Sequence, residues 1–503
     1  MKPTIISSRV TLLSAFCFLI LFYEEYPGLN YLIFAAIITG IQYFFNRDTF
    51  HKPILIGISS GLILSAGAVA YQASPLAVFL TWGFLILQGA FILNPKLQSL
   101  HWGILQSVMN GIYALPGLFS LQFLSNRKRS LKLKRLGLLI FPFLMLILFW
   151  NLYSDTNPYL IELNEIINTI RKELFSHLWS VISFAGFLFL ILGLFISLTL
   201  FHLFIQPEPE MGDQFLTRKN IHSIPFLLKF DFSFLTGSSL KRELISGLVL
   251  MSILNILLFI VNLTDITWIW FGFVVPENFS LKQFVHEGTW NLLISIFFSM
   301  VLILYYFRGN QNFYFRSRGM RILALVWIIQ NAILLFSLFL RDLHYIQFHG
   351  LAWNRLNLLV FMLLTLSGLI LLWFKIRYLW TTWFVIKLNS YFAAGLFVLY
   401  AWIPWDSLMI NYNLNHPNSG EIDVWFYLSA GDLTLPIVEA NFDQTNKQII
   451  AHAQNEVKWI SFESISEFKA HFYRQQLRFV HQYPLQGLLS WNYREHKAWE
   501  EMK

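Results

Sequence analysis

The chain has 503 residues, 56% of them hydrophobic and 13% charged, with a mean hydropathy of +0.55 and a formal charge of +8. A soluble protein carries about 25% charged residues, so most of this chain does not belong in water. The positive charge collects in connecting loops, which argues against nucleic-acid binding. The single Cys17 sits inside an apolar run and forms no internal disulfide.

Apolar runs cover about 10–23, 29–45, 54–70, 75–93, 101–124, 136–153, 178–205, 244–263, 285–307, 320–340, 353–374 and 379–400. About twenty apolar residues span the ~30 Å hydrocarbon core of a bilayer. There only a helix or a closed barrel satisfies its own backbone. The expected fold is all-α: a polytopic helical transmembrane protein of 11–12 membrane segments (residues 1–402) with a small, mainly helical C-terminal domain outside the membrane (403–503). The first run lacks a small-residue cleavage site before Glu24 and Glu25, so it reads as a retained helix.

Lys and Arg orient the runs. The linker 126–135 carries six positive charges and no negative one, and Lys241 with Arg242 precede the eighth run. Arg308, Arg316, Arg318 and Arg321 follow the ninth, and Lys375 and Arg377 the eleventh. With these loops cytoplasmic, 154–177, 264–284, 341–352 and the tail lie outside. Lys2, Arg9, Arg47 and Lys52 place the N-terminus inside. Twelve spans cannot join an inside start to an outside end, so either one early segment is re-entrant or the N-terminus is outside. The run 101–124, interrupted by Asn110, Pro116 and Gly117, is the expected break, leaving eleven true spans.

In the loop 207–242, the stretch 224–232 suits either an interfacial segment or a loop packed on helix ends. In the tail, Ser464 and Glu467 have capping-box spacing. They open a helix to about Tyr483 with a stripe of Phe468, Phe472 and Phe479. Further helices are predicted over 446–458 and 491–501, and the tail is expected to dock on the outer loops.

Three groups could carry chemistry. Glu24 and Glu25, on the first outer loop, suit the base or metal ligand of a transferase acting on a lipid-linked substrate, or ordinary acidic helix ends. His286 and Glu287, with Trp290 and Asn291, mark the entrance to the ninth run, as a proton-coupled site or as an aromatic-belt anchor. Arg341 and Arg355 break the positive-inside trend and call for compensation by Asp342, Glu287, Asp406, Asp423 or an anionic ligand. An exposed Arg341–Asp342 pair would be nearly neutral in energy. Lys387 needs to snorkel, whereas Asn255, Asn262 and Asn331 suit helix–helix hydrogen bonds. No phosphate loop, metal-ligand spacing or nucleophile elbow is present in the sequence, so no cofactor or metal is expected.

From about Phe284 onward the order of features resembles the domain of unknown function 4173 family of bacterial membrane proteins. The cues are His286-Glu287-Gly288-Thr289-Trp290-Asn291-Leu292, Gly350-Leu351 with Arg355, Trp405-Asp406 and Asn411-Tyr412-Asn413-Leu414. Ile422-Asp423 with Tyr427-Leu428, Leu433 with Pro436, and Trp491-Asn492 with Ala498 continue the set. Asn411 stands where a basic residue is commoner. The resemblance implies a polytopic inner-membrane protein and no known activity.

Two functions remain open. One is a non-enzymatic transporter-like or accessory scaffold protein whose outer surface uses His286, Glu287, Trp290, Asn291, Arg341, Arg355, Asp406, Asn413 and Asp423. It would bind an anionic or lipid-linked ligand, or a membrane-protein partner. The other is the transferase built on Glu24 or Glu25.

Overall fold

The structure is a computed structural model that describes residues 8–120, 184–204, 240–271, 289–308, 312, 315–416, 424–454, 462 and 464–503. Among these residues there are helices and no strands. Seven helices are long and apolar enough to cross a membrane: 53–72, 75–93, 243–265, 289–306, 318–349, 353–378 and 382–402. Three more apolar helices, 9–22, 29–45 and 185–201, are shorter. Every expected run except 136–153, which lies outside the described residues, has a helix over its described part. The chain is therefore an all-α, multi-pass membrane protein.

The chain packs as two compact units. The first comprises residues 1–213 and 486–492. Its helices are α1 (Ser8–Phe22), α2 (Leu29–Phe45), the single turn α3 (Arg47–Phe50), α4 (Pro53–Gln72), α5 (Pro75–Leu93), α6 (Leu100–Ser120) and α7 (Phe184–Phe201). Proline opens α4 and α5 at positions where a missing N–H does no harm, and the Ser74 hydroxyl caps α5 by accepting from Ala77 N at 3.3 Å. α1 lies so close on α7 that a Cβ on Gly193 would sit 2.9 Å from the Ala15 carbonyl oxygen. Small residues give lipid-embedded helices this approach, and buried polar side chains then bond across it. The Ser197 hydroxyl donates to Ser14 at 3.0 Å, and Gln88 Nε2 donates to Gln42 Oε1 at 2.7 Å.

No interruption appears at Asn110, Pro116 or Gly117, where one was expected, since α6 runs unbroken from Leu100 to Ser120; residues 121–124 lie outside the described residues. Asn110 is 2% exposed and serves the neighbouring helix. Its Nδ2 donates to the carbonyls of Thr199 (3.1 Å) and His202 (2.9 Å), and its Oδ1 accepts from Phe204 N (2.8 Å). One carboxamide thus satisfies three backbone groups left over where α7 ends.

The second unit comprises residues 214–485 and 493–503. Its long helices are α8 (Leu240–Asp265), α9 (Thr289–Tyr306), α10 (Arg318–His349), α11 (Trp353–Tyr378) and α12 (Thr382–Trp402). They bury Met251, Ile296, Met320, Leu334, Leu338 and Leu372 between them. Asn255 and Asn262 zip α8 to α10: Asn255 Nδ2 donates to Leu323 O at 3.1 Å and Asn262 Nδ2 to Gln330 O at 3.0 Å. Asn331 bonds within α10, to Trp327 O at 2.8 Å. Lys375, expected in a cytoplasmic loop, is fully buried in the last turn of α11. Its ammonium donates to Phe307 O at 2.8 Å and Trp380 O at 3.4 Å, holding carbonyls that the helix ends leave free. Lys387 is half-buried in α12.

The tail helices of this unit are α13 (Trp405–Leu414), α14 (Trp425–Ser429), α15 (Leu435–Ala440), α16 (Phe442–Gln454), α17 (Ile465–Gln482) and α18 (Tyr493–Met502). They enclose a core of their own around Ile410, Tyr427, Val438, Phe468, Phe472 and Phe479. α17 starts at the expected cap, where the Ser464 hydroxyl accepts from Glu467 N at 3.4 Å. Its predicted Phe stripe is the buried one.

Candidate functional site

α10 is 32 residues long, about 48 Å at 1.5 Å per residue. That exceeds the ~30 Å hydrocarbon core, and the polar last turns from Arg341 to His349 form part of the excess. Here Arg341 is 7% exposed and Asp342 1% exposed. Arg341 forms an ion pair with Asp265, a residue outside the expected set. Its Nη2 donates to Asp265 Oδ1 at 2.6 Å, at the end of α8. Directly after Asp265 the helix widens into a π-helical turn, Ile266–Trp270, and Trp270 Nε1 donates to Ser337 Oγ at 3.0 Å. Such turns occur often at functional sites. Both charges of the pair are buried, so removal of either would leave an uncompensated ion.

Asp342 looks the other way. Its electrostatic partner is Arg355 in the first turn of α11, yet its Oδ2 meets no hydrogen-bond donor among the described residues. Arg355 instead donates to the carbonyls of His349 and Gly350 and lies 4.5 Å over the Tyr345 ring. The turn it grips has Gly350 at φ 72, the left-handed region in which glycine meets no Cβ penalty.

Asn413 takes hold of the next residue. Its Oδ1 accepts from Leu351 N at 2.6 Å and its Nδ2 donates to Leu351 O at 2.8 Å, so one amide satisfies both backbone groups. Gln448 donates to Asn413 O at 2.8 Å and accepts from the Tyr427 hydroxyl at 2.7 Å. A continuous buried relay thus joins the α10–α11 turn to the tail core. Asp406 holds the chain end by a two-pronged bond: Arg494 Nη1 and Nη2 meet its oxygens at 2.9 and 3.1 Å, and Nη2 also reaches Ser407 Oγ at 2.5 Å.

Glu24 and Glu25 lie in the first unit, where residues 486–492 sit on their loop. Ser490 Oγ donates to Glu25 Oε2 and accepts from Tyr26 N at 2.8 Å, while Leu29 N donates to Trp491 O at 2.9 Å. Asn30, 1% exposed, braces the loop by donating to Leu21 O and Tyr26 O and accepting from Gly28 N. Glu24 adopts φ 60, an uncommon value outside glycine. Beneath the loop, rings fill the space: the Phe22 ring centroid is 4.9 Å from that of Tyr31 and 5.3 Å from that of Phe34.

Of the remaining expected residues, Trp290 and Asn291 are exposed on α9. His286, Glu287 and Asp423 lie outside the described residues, as does the stretch 224–232. Among the described residues no three His, Cys, Asp or Glu side chains gather to hold a metal ion. Sequence reasoning missed Asp265, Gln448, Ser490 and Arg494.

These helices define a multi-pass membrane protein with a small helical tail. Residues 32–440 match the family described as domain of unknown function DUF4153, and the chain belongs to that family. The resemblance to the 4173 family is not confirmed by number, and the match begins far upstream of residue 284. No curated protein and no solved structure matches the chain.

Proposed function

We propose that this is a non-enzymatic protein of a bacterial inner membrane, transporter-like or an accessory scaffold, with its working surface on the outer side. The observation that carries the reading is the use made of the polar groups at the helix entrances. Arg355, Asn413 and Asp406 are bonded to backbone carbonyls and amides or to Arg494, an arrangement that fastens the tail. Glu25, one of the two candidates for a catalytic base, accepts from Ser490, and a Cβ on Gly487 would lie 2.7 Å from its Oε1. The contact of 486–492 with the loop of Glu24 and Glu25 supports reading those two segments as sharing the outer side. A lipid-linked or anionic ligand, or a membrane-protein partner, would meet this outer face.

The test combines location with substitution. In a Cys17→Ser background, Ala470→Cys on the exposed face of α17 should react with an impermeant thiol reagent in spheroplasts before lysis. Glu24→Gln and Glu25→Gln should leave the phenotype of a complemented deletion strain unchanged. Protection of Ala470→Cys until lysis refutes the outer surface. Loss of complementation by a Glu24→Gln or Glu25→Gln protein that still accumulates refutes the non-enzymatic reading in favour of the transferase.

A further inference from the structure

We propose that Asp342 is a proton-exchange site of the membrane domain, with Arg355 as its counter-charge and the Arg341–Asp265 pair as its fixed neighbour. Asp342 is 1% exposed and its Oδ2 meets no donor among the described residues, although two guanidinium groups lie nearby. Arg341, the adjacent residue, is committed to Asp265 at 2.6 Å. Arg355 directs Nη1 at two backbone carbonyls. A buried carboxylate with an oxygen that meets no donor is costly, and uptake of one proton removes the charge without disturbing either arginine's bonds. The step is –COO⁻ + H⁺ ⇌ –COOH, with the proton drawn from and returned to bulk water and nothing oxidised or reduced.

Among the described residues, Arg341, His344, Tyr345 and His349 share the helix of Asp342, Arg355 faces it from α11, and Asp265 closes α8. His416 follows α13, its Nε2 3.2 Å from Ile346 O. With Asp342 ionised, Arg341, Arg355, Asp265 and Asp342 sum to zero. With it protonated, the cluster keeps one positive charge on Arg355, which holds the turn to which Asn413 is bonded. The proposal goes beyond the functional reading, because proton exchange at this carboxyl can be measured without any substrate.

The test uses the full-length protein in lipid nanodiscs, treated with a hydrophobic carbodiimide, which attacks a protonated carboxyl, across a pH series in potassium buffer. Peptide mass mapping should find the adduct on Asp342 in the unaltered protein, with Asp265 unmodified. Above its midpoint the labelling should fall about tenfold per pH unit, as the protonated fraction does. In infrared difference spectra the carboxylic-acid carbonyl band that titrates in step should vanish in Asp342→Asn and return in Asp342→Glu. Labelling of Asp265 in place of Asp342, no labelling at any pH, or a band unchanged in Asp342→Asn overturns the proposal. So does protection of Asp342 by sodium at fixed pH, which would make it a metal-cation site. Because the adduct is mapped in the unaltered protein, a variant that fails to fold does not obscure the result.

Discussion

The Ser490 hydroxyl donates to the Glu25 carboxylate across 465 positions of sequence. Around that bond two backbones touch: a Cβ on Gly28 would lie 2.4 Å from the Ser490 carbonyl carbon and 2.6 Å from Trp491 O. Gly28 has an extended backbone that any residue adopts (φ −172), so glycine is needed there for space alone.

Gly28→Val should therefore expel 486–492 from the loop, at a cost of about 1–3 kcal/mol for overpacking. Ser490→Ala should cost about 1–3 kcal/mol, because it strands Tyr26 N and takes a donor from Glu25. Amide hydrogen exchange checks both: protection of Leu29 and of 486–492 should fall, and fall further in Gly28→Val. Unchanged exchange in Gly28→Val would contradict the contact.

Arg341 and Asp265 should behave as a buried pair. Arg341→Met or Asp265→Leu alone should destabilise by about 3–5 kcal/mol, because each leaves a lone buried charge. The double variant should regain most of that loss, since apolar replacement of a whole buried pair is often neutral. Thermal unfolding of the four proteins in one detergent gives the cycle. Additive losses would mean that the two side chains do not depend on each other.

The membrane helices were legible because bilayer thickness, an outside constraint, sets the length of each apolar run. Partners were much less so. Asn110 reads as a break within an apolar run, yet its carboxamide serves Thr199, His202 and Phe204 about ninety positions on. Asp265 closes its helix and reads as a loop residue, so nothing in the sequence ties it to Arg341. Lys375 reads as a cytoplasmic anchor because composition cannot tell a solvated ammonium from one bonded to Phe307 O. Asn413 and Arg355, in contrast, stand out as polar groups at helix entrances, and both have structural partners there. Such positions reveal that a side chain has work to do and say little about with whom.

The tail should loosen in alkali through Tyr483. Burial first, then the nearby Glu495 and Glu500 carboxylates, push its phenol up to about 12. A group whose folded value lies above its unfolded value of about 10 stabilises the fold below pH 10 and loses that contribution as pH rises toward 12. Exchange or fluorescence of the tail should stay flat up to about pH 10 and change between 10 and 12. Tyr483→Phe should remove that step, at the expense of the contact with His496 Nδ1, 3.1 Å from the hydroxyl. A step of equal size in Tyr483→Phe would assign the loosening elsewhere.

Arg494 and Asp406 make the strongest test of how the chain end is held. Their side chains are only 11% and 12% exposed, and the guanidinium uses both prongs on Asp406 while reaching Ser407. A two-pronged charge-assisted bond of this kind needs a planar fork, which lysine lacks. Arg494→Lys should therefore lose nearly as much as Arg494→Ala, about 1.5–3 kcal/mol, although the charge is kept. The loss should be local to α18. Gln476 Nε2 donates to Met502 O at 3.1 Å and Trp499 Nε1 to Val480 O at 3.2 Å, so the helix keeps other ties to α17 and frays without taking the tail core with it. Limited proteolysis reads the difference: Arg494→Ala and Arg494→Lys should both be cut within 493–503 while Tyr427 and Phe468 stay protected. Full protection in Arg494→Lys would show that charge alone holds the helix; cleavage through the whole tail would show that this one bond closes its core.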